Sequence, residues 1–127
     1  MDTPHALAVV SALVACAPAG VVVGVGTVMN ARDIAPAAEA GAAFALSPYS
    51  PPGMAAACRS SGILGVPTGG TPTEIYEISQ TGCAVKLYPA SHWNPASVKS
   101  LMGVGGFSKM LRLVPSGGIK VCCFCLG

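Results

Sequence analysis

Charged side chains are scarce in this chain. Only 9% of its 127 residues are charged, against roughly 25% in an ordinary soluble domain. Because intrinsic disorder requires high charge and low hydrophobicity, the 52% apolar content excludes a disordered chain. The seven lysine and arginine residues form no run or stripe, so we expect no nucleic-acid partner. The length fits one domain with one hydrophobic core.

No charge occurs between Asp2 and Arg32, a stretch long enough to span a membrane, and Ala15-Cys16-Ala17 resembles a signal-peptidase site. Three features argue against both interpretations. No lysine or arginine precedes the stretch, residues 18–20 interrupt it with proline and glycine, and residues 21–28 are rich in β-branched valine. We therefore expect no membrane partner and a cytoplasmic location, with an organelle such as a plastid as the alternative.

The six cysteines lack the even distribution of a disulfide scaffold. Cys16, Cys58 and Cys83 stand singly among apolar residues, which is typical of buried free thiols. The other three are Cys122, Cys123 and Cys125. Cys122 and Cys125 have the spacing of a zinc ligand pair, but a zinc site needs about four ligands and both histidines are isolated. We predict a reducing compartment and no metal.

Glycine and proline separate short elements without the period of collagen. Predicted strands at about 21–28, 43–47, 63–66, 83–88 and 109–114 alternate with predicted helices at about 3–16, 30–39, 51–60, 71–82 and 94–102. Such alternation indicates a parallel α/β sheet. It fits either part of a (β/α)8 barrel or a small doubly wound sheet, since a complete barrel takes at least about 200 residues.

Local capping signals set the predicted helix boundaries. Side chains that can cap a helix occur at Thr3, Asn30 and Asn94, with Pro4 and Pro95 at first helical positions. Thr71 and Glu74 have the spacing of a capping box. The prolines at 51 and 52 open the third predicted helix, and Gly41, Gly62 and Gly82 are predicted stops.

Ligands bind at the carboxyl ends of the strands in both candidate architectures. Lys86 is unusual there, because it interrupts the apolar strand at 83–88. If it faces the interior, desolvation disfavours its charged form, and a neutral amine can form a Schiff base with a ketone. The alternative is an edge-strand lysine whose ammonium group reaches water. The residues alone do not decide between these two.

Two other strand ends offer polar groups. Pro115-Ser116-Gly117-Gly118 predicts a turn whose backbone N–H groups could hold a phosphate, with an ordinary tight turn as the alternative. The hydroxyl of Thr27 could bind a carboxylate or simply cap the strand end.

Five segments at these strand ends, in this order, resemble the class I aldolase family of 2-keto-3-deoxy-6-phosphogluconate and 4-hydroxy-2-oxoglutarate aldolases. They are Val23-Gly24-Val25-Gly26-Thr27-Val28-Met29-Asn30, Ala40-Gly41-Ala42-Ala43-Phe44-Ala45-Leu46-Ser47-Pro48, Thr71-Pro72-Thr73-Glu74, Val85-Lys86-Leu87-Tyr88-Pro89-Ala90 and Pro115-Ser116-Gly117-Gly118-Ile119. The resemblance implies a partial (β/α)8 barrel over residues 1–119, a trimer, no cofactor, and cleavage of a small 2-keto acid to pyruvate and an aldehyde, either glyceraldehyde 3-phosphate or glyoxylate.

The resemblance also implies a role for each matched residue. Lys86 matches the Schiff-base lysine, and Thr27 matches the residue that holds the pyruvate carboxylate. Pro48 and Tyr88 match positions that line the pocket. The phosphate site is matched by Ser116, Gly117 and Gly118.

Departures from the family pattern indicate a barrel truncated at both ends. The strand with the acid/base glutamate is absent, Asp2 replaces an arginine, and strand eight is missing. Thr68 replaces a glycine, and residues 120–127 form a divergent cysteine-rich tail. The alternatives are an inactive fragment that only assembles with other subunits, and another phosphate-binding barrel such as an isomerase, which would need a carboxylate at a strand end.

Overall fold

The computed structural model describes residues 4–119, so the predicted cap at Thr3 and the predicted tail at 120–127 lie outside the described residues. Helices and strands alternate as α1 (Ala6–Cys16), β1 (Gly24–Val25), α2 (Ile34–Glu39), β2 (Phe44–Leu46), α3 (Met54–Ser60), β3 (Leu64–Val66), α4 (Pro72–Gln80), β4 (Val85–Leu87), α5 (Pro95–Gly103), α6 (Phe107–Met110) and β5 (Leu113–Pro115). Short 3-10 helices cover Ala31–Asp33 and Ala90–His92. The predicted α/β alternation is confirmed.

The five strands are parallel and follow chain order. β1 pairs with β2, β2 with β3, and β4 with β5. Backbone hydrogen bonds join β3 to β4, because the N–H of Ala84 donates to Gly65 O at 3.0 Å and the N–H of Lys86 donates to Pro67 O at 2.8 Å. The order β1-β2-β3-β4-β5 is that of a barrel, whereas a doubly wound sheet reverses direction partway. The doubly wound alternative is therefore wrong.

The core lies between the helices and the outer face of this sheet. One apolar cluster surrounds Val25 and Ala45, and a second surrounds Val85 and Leu87. Fully burying one such large aliphatic side chain contributes about 1.5–3 kcal/mol. Because successive side chains of a strand point to opposite faces, the outward direction of Val85 and Leu87 turns Lys86 to the inner face.

Helix boundaries that depend on local chemistry are confirmed. The hydroxyl of Thr71 accepts the N–H of Glu74 at 3.3 Å, while the Glu74 carboxylate accepts the N–H of Thr71 at 2.9 Å. Asn94 Oδ1 accepts the N–H of Ser97 at 2.8 Å. The predicted glycine stops have left-handed backbone at Gly41, Gly62 and Gly82, as a helix C-cap requires.

Three predicted helix starts are wrong. Pro4 is not the first helical residue, because His5 has left-handed backbone and α1 begins only at Ala6. Asn30 makes no side-chain cap, because a 3-10 turn intervenes and α2 begins only at Ile34. The third helix begins at Met54, after Gly53 turns the chain with a φ of 78°. The prolines at 51 and 52 therefore precede the turn and do not open the helix.

The first and last predicted strands are too long. Val21 and Val22 are exposed and lie outside the two-residue β1. Residues 107–110 form α6, because Phe107 packs 5.5 Å from the Tyr76 ring and Leu111 is buried in the second cluster. β5 therefore starts only at Leu113.

The predicted burial of single cysteines is confirmed for Cys58 and Cys83 and wrong for Cys16, which is exposed near the end of α1. Burial raises the pKa of the Cys58 thiol to about 11, with a smaller contribution from Cys83. Within residues 4–119, no helix combines the length and the apolar character that a membrane span requires.

Candidate active site

Lys86 is placed at the centre of the sheet. Its β4 neighbours Val85 and Leu87 are 0% and 1% exposed, while Lys86 itself is half-buried on the inner face. β4 is bonded to β3 on one side and to β5 on the other, so Lys86 is not an edge-strand lysine. Its Nζ lies 4.6 Å from the centroid of the Tyr88 ring, a cation–π distance.

The turn after β5 packs against the same tyrosine. Gly117 has a φ of 81°, and a Cβ there would lie 2.8 Å from Tyr88 Cε2. Only glycine allows this backbone conformation and this close approach together. The N–H of Ala90 donates to Ser116 O at 2.8 Å and ties the turn to the chain that follows β4. The predicted phosphate-binding turn therefore lies beside the ring over which the Lys86 amine rests.

Backbone donors of this turn are available. Gly117 and Gly118 are exposed, and their N–H groups have no hydrogen-bond partner among residues 4–119. A Cβ on Gly118 would lie 2.9 Å from Ser91 Cβ, so that glycine too is required by packing. Two adjacent N–H groups in left-handed backbone are the type of donor set that holds an anion.

Thr27 stands at the end of β1 in strained backbone. Its φ is 53°, which is rare for a β-branched residue. Strain of this kind persists where the surroundings impose it, and it is concentrated at functional sites. The neighbouring Val28 is fully buried and its N–H donates to Leu46 O at 3.0 Å. Thr27 shares the rim with Lys86 but lies three strands away in the order of the sheet.

Pro48 is half-buried in the segment between β2 and α3. It follows Ser47, whose N–H donates to Val66 O at 3.2 Å. Pro48 therefore lies at the rim between Thr27 and Lys86. The predicted site residues thus share the carboxyl ends of the strands, and Lys86, Tyr88 and the 116–118 turn form one contiguous group.

A family model described as "Aldolase: KDPG and KHG aldolase" matches residues 1–124. The chain belongs to this aldolase family. The match reaches into the predicted tail, so the domain boundary at 119 stays a prediction.

Individual aldolases are similar to this chain. The KHG/KDPG aldolase of Escherichia coli K12 is 33% identical over 100 residues, which are 78% of this chain and 46% of that protein. A probable 2-dehydro-3-deoxy-6-phosphogalactonate aldolase of Rhizobium meliloti is 27% identical over 121 residues, 94% of this chain and 56% of that protein. The chain therefore spans about half the length of these curated relatives.

A solved aldolase structure has the same fold. It is the KDPG aldolase of Legionella pneumophila, described with pyruvate captured as a covalent carbinolamine intermediate. The two structures superpose with a TM-score of 0.78 at 27% identity, over 94% of this chain and 57% of the other. This aldolase-family chain is therefore part of a (β/α)8 barrel.

No carboxylate of the described residues lies on a strand of this aldolase-family chain. The carboxylates of residues 4–119 lie on helical segments, at Asp33, Glu39, Glu74 and Glu77. Hydrogen bonds from the backbone of Gly70 and from Thr71 hold the pKa of the Glu74 carboxyl below its ordinary value. Glu74 is therefore a helix cap, as predicted.

Other concave regions lie away from Lys86. A groove of about 460 Å³ is bordered by Met54 and Arg59 of α3 and by Glu77 of α4, on the helical side of the sheet. Residues 4–119 contain no group of three or more histidine, cysteine or acidic side chains that could hold a metal ion.

Sequence reasoning missed a set of hydrogen bonds along the rim. The Tyr49 hydroxyl donates to Met29 O at 2.6 Å, and the Thr68 hydroxyl donates to Ser47 O at 2.8 Å. Among the described residues, Ser47 is the only polar one that is fully buried. The Ser47 hydroxyl accepts the N–H of Tyr49 at 3.4 Å, so the serine at the end of an apolar strand signalled only this local bond, because a buried polar side chain needs a partner.

Proposed function

We propose that this chain acts as a class I aldolase that cleaves a 2-keto acid to pyruvate and an aldehyde, with Lys86 as the nucleophile. The observation that carries the proposal is the position of Lys86. Its side chain leaves the sheet on the inner face, its Nζ lies over Tyr88, and Tyr88 contacts Gly117. A cation at the centre of a barrel sheet needs a reason, and imine formation supplies one.

The chemistry requires only a lysine and proton transfers. The unprotonated Nζ attacks the C2 carbonyl of the keto acid, water leaves, and a protonated imine forms. Cleavage of the C3–C4 bond sends its electron pair into the imine and gives an enamine. The C4 hydroxyl loses its proton and becomes the aldehyde. Protonation at C3 and hydrolysis by water then release pyruvate and restore the amine.

Neighbouring groups suggest how the substrate is held. Thr27 would bind the carboxylate, Pro48 and Tyr88 would line the pocket, and the N–H groups of the 116–118 turn would hold a phosphate on the leaving aldehyde. The names of the Escherichia coli and Rhizobium relatives suggest phosphorylated and unphosphorylated 2-keto acids as substrates. We expect glyceraldehyde 3-phosphate or glyoxylate as the aldehyde.

Residues 4–119 place no carboxylate on the inner face. We therefore expect imine formation and cleavage of the C3–C4 bond to be slowed to different extents. Imine formation needs only the amine and the ketone, whereas loss of the C4 hydroxyl proton needs a base. General acid/base groups contribute typically 10²- to 10⁴-fold. We therefore expect this chain to capture pyruvate on Lys86 and to cleave 2-keto acids more slowly than an aldolase with its glutamate.

Reductive trapping tests the proposal. The protein is incubated with pyruvate and sodium borohydride, and modified lysines are identified by peptide mass spectrometry. We expect one reduced adduct on Lys86, lost in Lys86→Met and kept in Lys99→Met, a matched change on the exposed surface of α5. An adduct spread evenly over Lys86, Lys99 and Lys109 would contradict the proposal, because ordinary amines would then react equally.

Self-association is part of the same proposal. Helix α1 has exposed apolar side chains at Val9, Leu13 and Val14, which are 47%, 49% and 40% accessible. An apolar face of this kind favours contact with another subunit, so we propose a homo-oligomer, with a trimer as the expected form. Sedimentation at micromolar concentration tests the oligomeric state. The cytoplasmic location stays a prediction.

A further inference from the structure

Thr68 lies directly opposite Lys86. The N–H of Lys86 donates to Pro67 O at 2.8 Å, and Lys86 O accepts the N–H of Gly69 at 3.1 Å. A residue that bonds to both neighbours of another residue in a parallel ladder is its register partner, and the two side chains share a face. The bridge between Thr68 and Lys86 is parallel, so the threonine side chain stands next to the lysine on the inner face.

The other side of Thr68 is tied to the segment after β2. Its hydroxyl donates to Ser47 O at 2.8 Å, and its N–H donates to Tyr49 O at 3.1 Å. These two bonds enclose Pro48, the residue expected to line the pocket. Ser47 is fully buried, so this end of the connection is fixed. Thr68 therefore lies between the amine and one wall of the site.

We propose that Thr68 is a positioning residue for Lys86, holding the 47–49 segment at a fixed place relative to the amine. The inference rests on the proposed function and goes beyond it by assigning a role to Thr68, which would act through its bonds to the 47–49 segment. The single hydroxyl proton of Thr68 is used by Ser47 O, so the side-chain orientation is fixed. Removal of that proton deletes one of the hydrogen bonds that hold the 47–49 segment, and it loosens the geometry that imine formation needs.

Three variants separate positioning from general stability. Thr68→Val keeps the shape and removes the hydroxyl, whereas Thr68→Ser keeps the hydroxyl. Thr81→Val is the matched control, because the half-buried Thr81 also donates its hydroxyl to a carbonyl, that of Ile78 at 2.6 Å. Thr81 follows α4, at the opposite end of the strands from the rim. We expect both valine variants to lose similar unfolding free energy.

The rate of borohydride trapping is measured over a range of pyruvate concentrations. We expect Thr68→Val to lower the maximal rate about tenfold, the effect of one net hydrogen bond, with less change in the half-saturating pyruvate concentration. Thr68→Ser and Thr81→Val should stay within about twofold of the unchanged protein. Equal maximal rates for Thr68→Val and Thr81→Val would overturn the proposal.

A second measurement does not depend on the proposed function. Acetic anhydride acylates lysines without any keto acid, and the ratio of Lys86 to Lys99 acetylation reports the surroundings of the Lys86 amine. We expect this ratio to change at least about threefold in Thr68→Val and to be restored in Thr68→Ser. If the unchanged protein forms no pyruvate adduct, the proposed function fails and this ratio still tests Thr68. An identical ratio in all three proteins rejects the positioning role.

Discussion

The two faces of the sheet differ in burial and in chemistry. On the outer face, Val25, Ala45, Val85 and Leu87 are 5% exposed or less and pack against helices. On the inner face burial is mixed, because Val66 is 3% exposed, Lys86 is half-buried and Leu64 is 38% exposed. Both sets alternate along the same strands. A single strand such as β4 therefore provides stability on one side and reactivity on the other, so substitutions one residue apart should have different consequences.

The largest expected effect is on the outer face. Leu87→Ala removes a side chain that is 1% exposed in the second cluster, and such changes cost about 2–5 kcal/mol of unfolding free energy. Lys86→Met, at the adjacent residue on the inner face, should cost less than about 1 kcal/mol, because Lys86 is only half-buried and methionine keeps most of its apolar stem. Urea unfolding measures both variants. A similar loss of unfolding free energy in both variants would mean that the inner face is packed as tightly as the outer face.

A smaller effect is expected where the inner rim is tightly packed. Alanine in left-handed backbone costs about 1–2 kcal/mol, and this applies to both Gly117 and Gly20. Gly117→Ala also places a Cβ 2.8 Å from the Tyr88 ring, whereas nothing lies within 4 Å of that position at Gly20. Overpacking costs about 1–3 kcal/mol more. We therefore expect Gly117→Ala to lose more stability than Gly20→Ala, measured by urea unfolding.

The same two variants, Gly117→Ala and Gly20→Ala, also test phosphate binding. Displacement of Tyr88 in Gly117→Ala should weaken the binding of inorganic phosphate, measured by calorimetry. Gly20→Ala should leave phosphate binding unchanged. Equal stability and equal phosphate binding in the two variants would show that the 116–118 turn does not depend on its contact with Tyr88.

Local chemistry made much of the fold predictable. The capping box at Thr71 and Glu74 and the cap at Asn94 are confirmed because their partners lie within three residues in the sequence. The alternation of strands and helices follows from the same short-range patterns. By contrast, α6 was predicted as loop and strand, because its formation depends on the distant contact between Phe107 and Tyr76.

The site was less predictable than the fold. Lys86 stood out as a cation in an apolar strand, but its direction became known only when Val85 and Leu87 were seen to face the helices. Thr68 was noted in the sequence only as a departure from the family pattern, where a glycine is usual. Its place opposite Lys86 depends on the register between β3 and β4, and sequence patterns do not fix the stagger between neighbouring parallel strands.

Relief of the backbone strain at Thr27 should have a smaller effect. We expect it to act in opposite directions on stability and on the capture of pyruvate. Thr27→Gly removes a β-branched residue from backbone with a φ of 53°, a gain of about 1–2 kcal/mol that the flexibility of glycine in the unfolded chain offsets by about 0.5–1 kcal/mol. We expect unfolding free energy equal to or slightly above that of the unchanged protein, and slower capture of pyruvate. Val28→Ala, a change at the buried neighbour, should lower stability instead. A clear loss of stability in Thr27→Gly would mean that the strain is compensated locally.

The smallest expected effect is at the start of α4. The Glu74 carboxylate accepts the N–H of Gly70 at 3.0 Å and that of Thr71 at 2.9 Å, and these bonds lower its pKa below the ordinary 4.5. Because the unfolded chain then binds the proton more tightly than the folded chain, this contribution is present above pH 4.5 and is lost as the pH falls below it. Glu74→Gln should cost about 0.5 kcal/mol at pH 7 and make unfolding free energy less dependent on pH between 5 and 3. Glu77→Gln, beyond the first turn of the same helix, is the control, and an equal change in pH dependence for the two variants would show that the helix as a whole, and not its cap, responds to acid.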